Sequence, residues 1–175
     1  SWSALNGINQ MPVTNLSSVC VDYTNTSNIL LGTGDANYYS TTRASGVWKS
    51  TDGGQTFLLS NNGMGNLLVI DIAQSPTDPN IFVAATNAGI YRSVNGGANW
   101  TQQTTTTEIT GFAKNPAPGS LILYYSRGLA GSVGEFYRSA DFGSTWSLVP
   151  GISPPLQYKG SRVSVTAASS NVVYV

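Results

Sequence analysis

The sequence contains no histidine and a single cysteine, Cys20. Without histidine, a Ser-His-Asp triad, a histidine-ligated zinc site and imidazole acid–base catalysis are excluded from this stretch. One cysteine forms no internal disulfide, and no paired-cysteine metal motif is present. The sequence therefore predicts neither a metal site nor a cofactor.

Charge is also scarce. Only 9% of the residues are charged, and 8 Lys and Arg residues balance 8 Asp and Glu residues. Such a chain lacks the basic surface that binds phosphate backbones, so we do not expect nucleic acid as a partner. No apolar run approaches the ~20 residues of a membrane helix, so the chain is not expected to span a membrane.

What the sequence does contain favours β-structure. Hydrophobic residues make up 41% of the chain, in short runs. Clusters of Gly, Pro, Asn and Asp separate these runs, and no helical period is sustained. This pattern is typical of short strands joined by turns.

An eight-residue pattern occurs three times, beginning at Ser50, Ser93 and Ser139, at intervals of 43 and 46 residues. Three short apolar segments precede each copy and one follows it. Periods of about 40–50 residues are typical of propeller blades with four strands each. We therefore expect an all-β fold, a partial β-propeller of four-stranded antiparallel blades, with three complete blades and partial blades at both ends. Strands within a blade are named A to D in chain order.

The expected boundaries follow the repeat. Residues 1–10 are predicted to form the last strand of a preceding or closing blade, and 151–175 the first two strands of a further blade. The complete blades are predicted at 11–60, 61–104 and 105–150. Because propellers close with ~4–8 blades, we expect a piece of a longer protein, completed by its own remainder or by a partner chain.

The repeated pattern, Ser-x-Asp-x-Gly-x-Thr-Trp, predicts a turn between strands C and D. Asp or Asn accepts bonds from backbone N–H groups one or two residues further on, and glycine takes a positive φ. The final aromatic side chain is expected to be buried between blades. We call segments 50–57, 93–100 and 139–146 the box turns. Their predicted structural residues are Ser50, Asp52, Gly54, Phe57, Ser93, Asn95, Gly97, Trp100, Ser139, Asp141, Gly143 and Trp146.

These segments resemble the Asp-box (BNR) repeats of sialidase-like, xyloglucanase-like and sortilin-type propellers. Residues 32–35 followed by 46–54 are also similar to large secreted bacterial repeat proteins, many of them from Bacteroidetes that export cargo by type IX secretion. The resemblance covers nearly all of the chain at repeat level. It implies a propeller and a bacterial protein that is secreted or displayed on the cell surface.

The two edges of the blades are expected to have different roles. In an up-and-down meander, the A–B and C–D turns lie at one edge, called here the turn edge. The B–C and D–A loops lie at the other, the loop edge. The box turns belong to the turn edge, so we expect recognition at the loop edge, as the sialidase-like resemblance also implies. The candidate ligand-binding residues there are Asp35, Tyr38, Tyr39, Arg43, Arg127 and Tyr158.

The aromatic candidates suit stacking on sugar rings or a peptide, and the charged ones suit polar groups. An ordinary solvated rim remains the alternative. Glycoside hydrolysis requires two carboxyl groups, and sialidases require three arginines at the substrate. Asp52 and Asp141 are assigned to turns, while Arg92 and Arg138 hold equivalent places before a box turn, so no catalytic residue is assigned.

The sequence thus favours a non-catalytic extracellular or cell-surface module that binds glycan or protein through its loop edge. One alternative is a fragment of a sialidase-like or xyloglucanase-like glycoside hydrolase, with an active site partly outside this stretch. The other is a sortilin-type propeller that binds peptides.

Overall fold

The computed structural model describes residues 7, 11, 15–35, 44–128, 134–151, 164–166 and 169–174. Within these ranges the regular structure is β-strand, and no helix is long and apolar enough to cross a membrane. The strands are β1 (Leu16–Val21), β2 (Ile29–Thr33), β3 (Val47–Ser50), β4 (Leu58–Leu59), β5 (Val69–Gln74), β6 (Phe82–Thr86), β7 (Gly89–Ser93), β8 (Thr101–Gln102), β9 (Ile109–Lys114), β10 (Leu123–Arg127), β11 (Glu135–Ser139), β12 (Ser147–Leu148), β13 (Ser164–Thr166) and β14 (Ser169–Tyr174).

The strands pair in chain order. β1–β4, β5–β8 and β9–β12 each form a four-stranded antiparallel sheet, and β13 pairs with β14. The expected all-β partial propeller of four-stranded antiparallel blades is confirmed. We call the three four-stranded sheets blades 1, 2 and 3. The strand predicted within residues 1–10 falls outside the described residues apart from Gly7.

Backbone hydrogen bonds show that the A–B and C–D turns share one edge. In each blade an N–H group of the box turn donates to a carbonyl of the A–B turn. The three bonds, each 2.9 Å long, join Gly53 to Ser27, Gly96 to Asn80 and Phe142 to Leu121. The box turns therefore lie at the turn edge, opposite the B–C and D–A loops.

Each box turn is closed by its own serine and by its acidic or amide side chain. In the first, the Gly54 N–H donates to Ser50 Oγ at 2.8 Å, and Ser50 Oγ donates to Asp52 Oδ1 at 2.7 Å. The Thr56 N–H donates to Asp52 Oδ1 at 2.9 Å. The same serine and carboxylate or amide contacts recur in the other two turns.

The N–H group that donates to the box-turn aspartate lies further along the chain than the sequence predicted. The sequence predicted bonds to N–H groups one or two residues further on, yet the partner of Asp52 lies four residues on. The reason is that two successive residues are left-handed and fold the chain back. In the third turn one of these two is not glycine, because Phe142 has a φ of 51°.

These hydrogen bonds stabilise the charged form of the box-turn carboxylates. Bonds from the Thr56 hydroxyl and N–H, with a further bond from Ser50, lower the pKa of Asp52 to about 2. Burial alone raises the pKa of Asp141, but bonds from Thr145 and Ser139 outweigh it and lower the net value. A carboxylate whose pKa is lower in the folded state stabilises that state above its unfolded pKa.

Blade 2 lies between blades 1 and 3 and buries both of its faces, as the packing of a propeller requires. Phe82 and Ala84 of β6 pack against blade 1, while Val83 and Ala85 pack against blade 3. All four side chains are at most 2% exposed. Strand B therefore reads as a continuous apolar run, because alternate residues serve two different interfaces.

The second box turn is held tightly against the end of blade 1. The Trp100 N–H donates to the Asn62 carbonyl and its indole Nε1 to the Ser60 carbonyl, both at 2.8 Å. Gly63 lies beside this junction with a φ of 83°, and a Cβ there would overlap the Trp100 carbonyl oxygen. Gly65 has a similar φ of 75° but has open space at its Cβ position.

This pair of glycines predicts how closely the blades are packed. Gly65→Ala should lower the free energy of unfolding by about 1 kcal/mol, the cost of a left-handed alanine. Gly63→Ala has the same backbone cost and also forces the junction apart. We therefore expect it to lower the free energy of unfolding by about 2 kcal/mol more than Gly65→Ala does. Urea unfolding followed by tryptophan fluorescence measures both. Equal losses for the two variants would contradict the packing of this junction.

The box-turn carboxylates predict an acid dependence. Protonation removes their stabilising contribution, so the free energy of unfolding should fall as pH drops from 4 toward 2, through the lowered pKa of Asp52. Combining Asp52→Asn with Asp141→Asn should flatten this fall in urea titrations at each pH.

The second box turn supplies the matched control. There Asn95 Oδ1 already accepts the Asn99 N–H at 2.9 Å. Asn95→Asp adds a carboxylate at that place and should steepen the acid dependence. An unchanged slope in both variants would show that these turns do not control acid stability.

Candidate functional site

Two of the predicted ligand-binding residues lie within the described structure. Asp35 lies two residues after the end of β2, at the loop edge of blade 1, and is half-buried. Arg127 is the last residue of β10, at the loop edge of blade 3. Blade 2 stands between them in chain order. The other four, Tyr38, Tyr39, Arg43 and Tyr158, lie outside the described residues.

Blades 1 and 2 close the loop edge in the same way. Thr33 Oγ1, at the end of β2, donates to the Gly46 carbonyl at 2.8 Å. Thr86 Oγ1, at the end of β6, donates to the Gly89 carbonyl at 2.7 Å. The register of the strands makes these two pairs equivalent. A buried hydroxyl thus satisfies a carbonyl at the start of strand C.

Blade 3 departs from this arrangement. By register, Arg127 takes the threonine position and Glu135 the glycine position. Arg127 Nε lies 3.5 Å from Glu135 Oε2, with side chains 25% and 40% exposed. The Tyr137 hydroxyl donates to the same carboxylate oxygen at 2.8 Å. A partly exposed ion pair therefore replaces a buried polar contact.

Glu108 lies beside this ion pair. Its carbonyl accepts the Gly128 N–H at 3.2 Å, which joins the start of β9 to the end of β10. Glu108 has a φ of 60°, and its Oε2 atom is buried with no hydrogen-bond partner in the described part of the chain. A left-handed non-glycine residue costs roughly 1–3 kcal/mol, and such residues concentrate at functional sites. We call Glu108, Arg127, Glu135 and Tyr137 the blade-3 cluster.

Aromatic packing holds the base of this cluster. Tyr125 stacks on Tyr137 with ring centroids 4.6 Å apart, and its ring is 4.8 Å from that of Trp146. The Tyr125 hydroxyl donates to Thr106 Oγ1 at 3.2 Å. Burial raises the pKa of Tyr125 to about 12, while burial and the hydrogen bond to Glu135 raise that of Tyr137. Both hydroxyls therefore stay protonated at neutral pH and act as donors.

Sequence reasoning found Arg127 but did not assign Glu108, Glu135 or Tyr137 to the site. A position-by-position comparison of the repeats carries the missing signal. Where blades 1 and 2 both have threonine and glycine, blade 3 has arginine and glutamate. A departure from an internal repeat at a structurally important position is what marks these residues.

A second feature is a pocket of about 220 Å³ between the A strands of the three blades. Cys20 of β1, Asp71 of β5 and Lys114 of β9 line it. Burial raises the pKa of Asp71, and bonds from Ser18 Oγ at 2.7 Å and from the Ile72 N–H at 2.8 Å oppose this. Asp71 thus connects β5 to β1. Across the described residues, no group of three or more His, Cys, Asp or Glu side chains is placed to hold a metal ion.

Comparison with known proteins finds propellers. No protein-family model matches the sequence. A xyloglucanase from Hypocrea jecorina (strain QM6a) is 28% identical over 106 residues, which are 60% of this chain and 13% of that protein. The chain thus spans a small part of this relative's length.

The solved structures agree on the fold. An ancestral GH74 enzyme matches with a TM-score of 0.64 and 19% identity, over 90% of this chain and 23% of that one. A GH74 enzyme from Niastella koreensis gives 0.58 and 22%, over 93% and 26%. YCF48 from Cyanidioschyzon merolae gives 0.55 and 16%, over 82% and 42%. These similarities support the β-propeller fold of the chain.

The pocket predicts the reactivity of the one cysteine. Burial raises the pKa of the Cys20 thiol from 9.0 to about 11. Because only the thiolate reacts, alkylation by iodoacetamide at pH 8 should be about a hundredfold slower in the folded protein than in urea. Mass spectrometry measures the rate, which should keep rising with pH up to about 11. Equal rates in the folded and unfolded protein would contradict the burial of this thiol.

Proposed function

We propose that this chain is a segment of a glycoside hydrolase built on a β-propeller, of the xyloglucanase kind, with an active site completed by other blades. The similarity to a xyloglucanase and to GH74 enzymes supports this proposal. The chain matches only 13% of the xyloglucanase, so the activity is proposed for the whole protein. The blade-3 cluster is the observation that carries the proposal.

The location of the carboxyl groups favours the loop edge as the glycan-binding side. Asp22, Asp52, Asp78 and Asp141 lie at the turn edge, where Asp52 and Asp141 close box turns. Asp71 connects two A strands. Asp35, Glu108 and Glu135 remain at the loop edge. Glycoside hydrolysis needs one carboxyl group as acid and another as base or nucleophile.

The polar groups of the cluster suit a sugar. Arg127 offers donors, and the Glu135 carboxylate offers acceptors to hydroxyl groups. Both are partly exposed, so they are accessible from the loop edge. Glu108 lies beside Arg127 and Glu135 at the start of β9, and its Oε2 atom, which has no partner among the described residues, has the capacity to accept one more hydrogen bond. We propose that Arg127 and Glu135 bind the glycan. We propose Asp35 as the carboxyl group of this chain that acts as general acid or base.

The first expectation from the sequence was a non-catalytic module. The comparisons fit the glycoside-hydrolase alternative better, so we place the hydrolase first. Non-catalytic glycan binding is the second candidate, because Glu135 is already held by Arg127 and Tyr137. The sortilin-type alternative stays a prediction.

Four finer assignments belong to the same proposal. We propose that the box turns are Asp-box (BNR) repeats of the sialidase-like and sortilin-type superfamily, in view of their shared contacts from serine, glycine and aspartate or asparagine. We further propose blades at 11–60, 61–104 and 105–150, flanked by the partial blades 1–10 and 151–175. The protein is proposed to be bacterial, and secreted or at the cell surface. Export by type IX secretion is proposed from the resemblance of residues 32–35 and 46–54.

An assay of the whole protein that carries this chain tests the proposal. Release of reducing ends from xyloglucan measures hydrolysis, and calorimetry with xyloglucan oligosaccharides measures binding. Asp35→Asn should lower kcat by about a thousandfold, the range of a lost general acid or base, with binding retained. Arg127→Gln should weaken binding about tenfold, because it removes charged donors.

The matched control is Asp78→Asn, at the turn edge, where Asp78 Oδ1 accepts the Asn80 N–H at 2.9 Å. This variant keeps an acceptor there and should leave both readouts unchanged. Binding without hydrolysis in the unmodified protein would favour the second candidate. If the protein neither binds nor hydrolyses xyloglucan, a glycan function is rejected.

A further inference from the structure

Neighbouring blades are joined by a cationic contact that recurs. Lys49 Nζ donates to the Gly96 carbonyl at 2.7 Å. Arg92 Nε donates to the Phe142 carbonyl at 3.2 Å. Lys49 and Arg92 hold the same place, directly before the first serine of their own box turn. Each therefore reaches from strand C of one blade to the box turn of the next.

The two acceptors are also equivalent. Gly96 and Phe142 are each the fourth residue of a box turn, and both are left-handed, with φ values of 69° and 51°. Phe142 adopts this conformation although its Cβ makes it unfavourable. The left-handed conformation therefore recurs in a residue that is not glycine. This indicates that the contact requires the direction of the carbonyl and not a glycine.

An apolar contact accompanies each cationic one. A Cβ on Gly97 would lie 2.9 Å from Leu30 Cδ2, and a Cβ on Gly143 would lie 2.7 Å from Val83 Cγ2. Leu30 and Val83 are equivalent residues of strand B, each paired with the cation of strand C. The fifth residue of the turn therefore lies flat on the preceding blade, where no side chain fits.

Blade 3 has residues at the same two positions. Arg138 stands at the position of Lys49 and Arg92, and its cross-strand partner Tyr124 takes the place of Leu30 and Val83. Tyr124 stacks on Phe136 with ring centroids 5.4 Å apart. Arg138 is exposed and has no hydrogen bond or ion pair with the described residues. β13 lies against β9, as β9 lies against β5.

We infer that Arg138 is the docking contact for one more box turn, the C–D turn of the blade that β13 and β14 begin. Arg138 donates to the carbonyl of the fourth residue of that turn. Tyr124 is only 7% exposed, so its ring belongs to the core of blade 3 and not to this contact. The contact therefore selects a turn whose fourth residue is left-handed, whatever the side chain of that residue.

Hydrogen exchange in the protein that carries this chain and its following blade tests the inference. Arg138→Met removes the donors and keeps the length of the side chain. It should speed exchange in the C–D turn of the following blade by about tenfold, the effect of a lost charged hydrogen bond. Arg92→Met is the internal reference and should speed exchange in residues 139–146 by a similar factor. Arg138→Lys should restore protection, because Lys49 makes the same contact.

Chemical modification provides a second measurement without any substitution. In the native protein, phenylglyoxal should modify Arg138 about as slowly as Arg92. Modification of Arg138 at the rate of a free arginine would overturn the inference. So would unchanged exchange in the following C–D turn of Arg138→Met, with Arg92→Met still showing its effect. A change in oligomeric mass caused by Arg138→Met would mean that a second copy makes this contact, and would also overturn the inference.

Discussion

The packing of the second and third box turns against the preceding blade is the interaction on which the rest of the described structure depends. The turn is rigid because its serine and its aspartate or asparagine satisfy its own N–H groups. Its remaining polar groups are thereby directed outward. In the second turn the Trp100 N–H, the indole and the Gly97 carbonyl all bond to residues at the end of blade 1. Stability then accumulates between neighbours, as in other repeat proteins.

This packing gives the two edges of the blades different characters: the contacts at the turn edge repeat from blade to blade, and those at the loop edge vary. At the turn edge all three blades use the same contacts, so little freedom remains for a ligand. At the loop edge the blades differ, because blade 3 has Arg127 and Glu135 where blades 1 and 2 have a Thr–Gly pair. Loops on a rigid scaffold are where binding residues commonly arise. The blade-3 cluster is consistent with that difference, and Tyr125 anchors it to the buried core.

Much of the fold was predictable because its signals are local. The repeat period, the turn residues and the apolar runs gave the strands, their order and the two edges. The distance along the chain from Asp52 to its N–H donor was predicted too short, because it depends on two successive left-handed residues. In blade 3 the first of these two residues is Phe142, which no glycine pattern marks. The pairing of Arg127 with Glu135 and Tyr137 depends on strand register, which the sequence specifies only indirectly. Asp35 and Arg127 lie at the loop edge as expected. Their role in ligand binding stays a prediction, because it depends on geometry between blades.

The recurrence of the cationic contact has a consequence for how such proteins change over time. Lys49 and Arg92 meet turns of different sequence, one with glycine and one with Phe142, through a backbone carbonyl in both cases. Because the contact is made to main-chain atoms, most side-chain substitutions in the neighbouring blade leave it intact. Whole units can therefore be duplicated, exchanged or lost as cassettes without redesign of their neighbours, so that the size of the ring and the chemistry of its rim evolve independently.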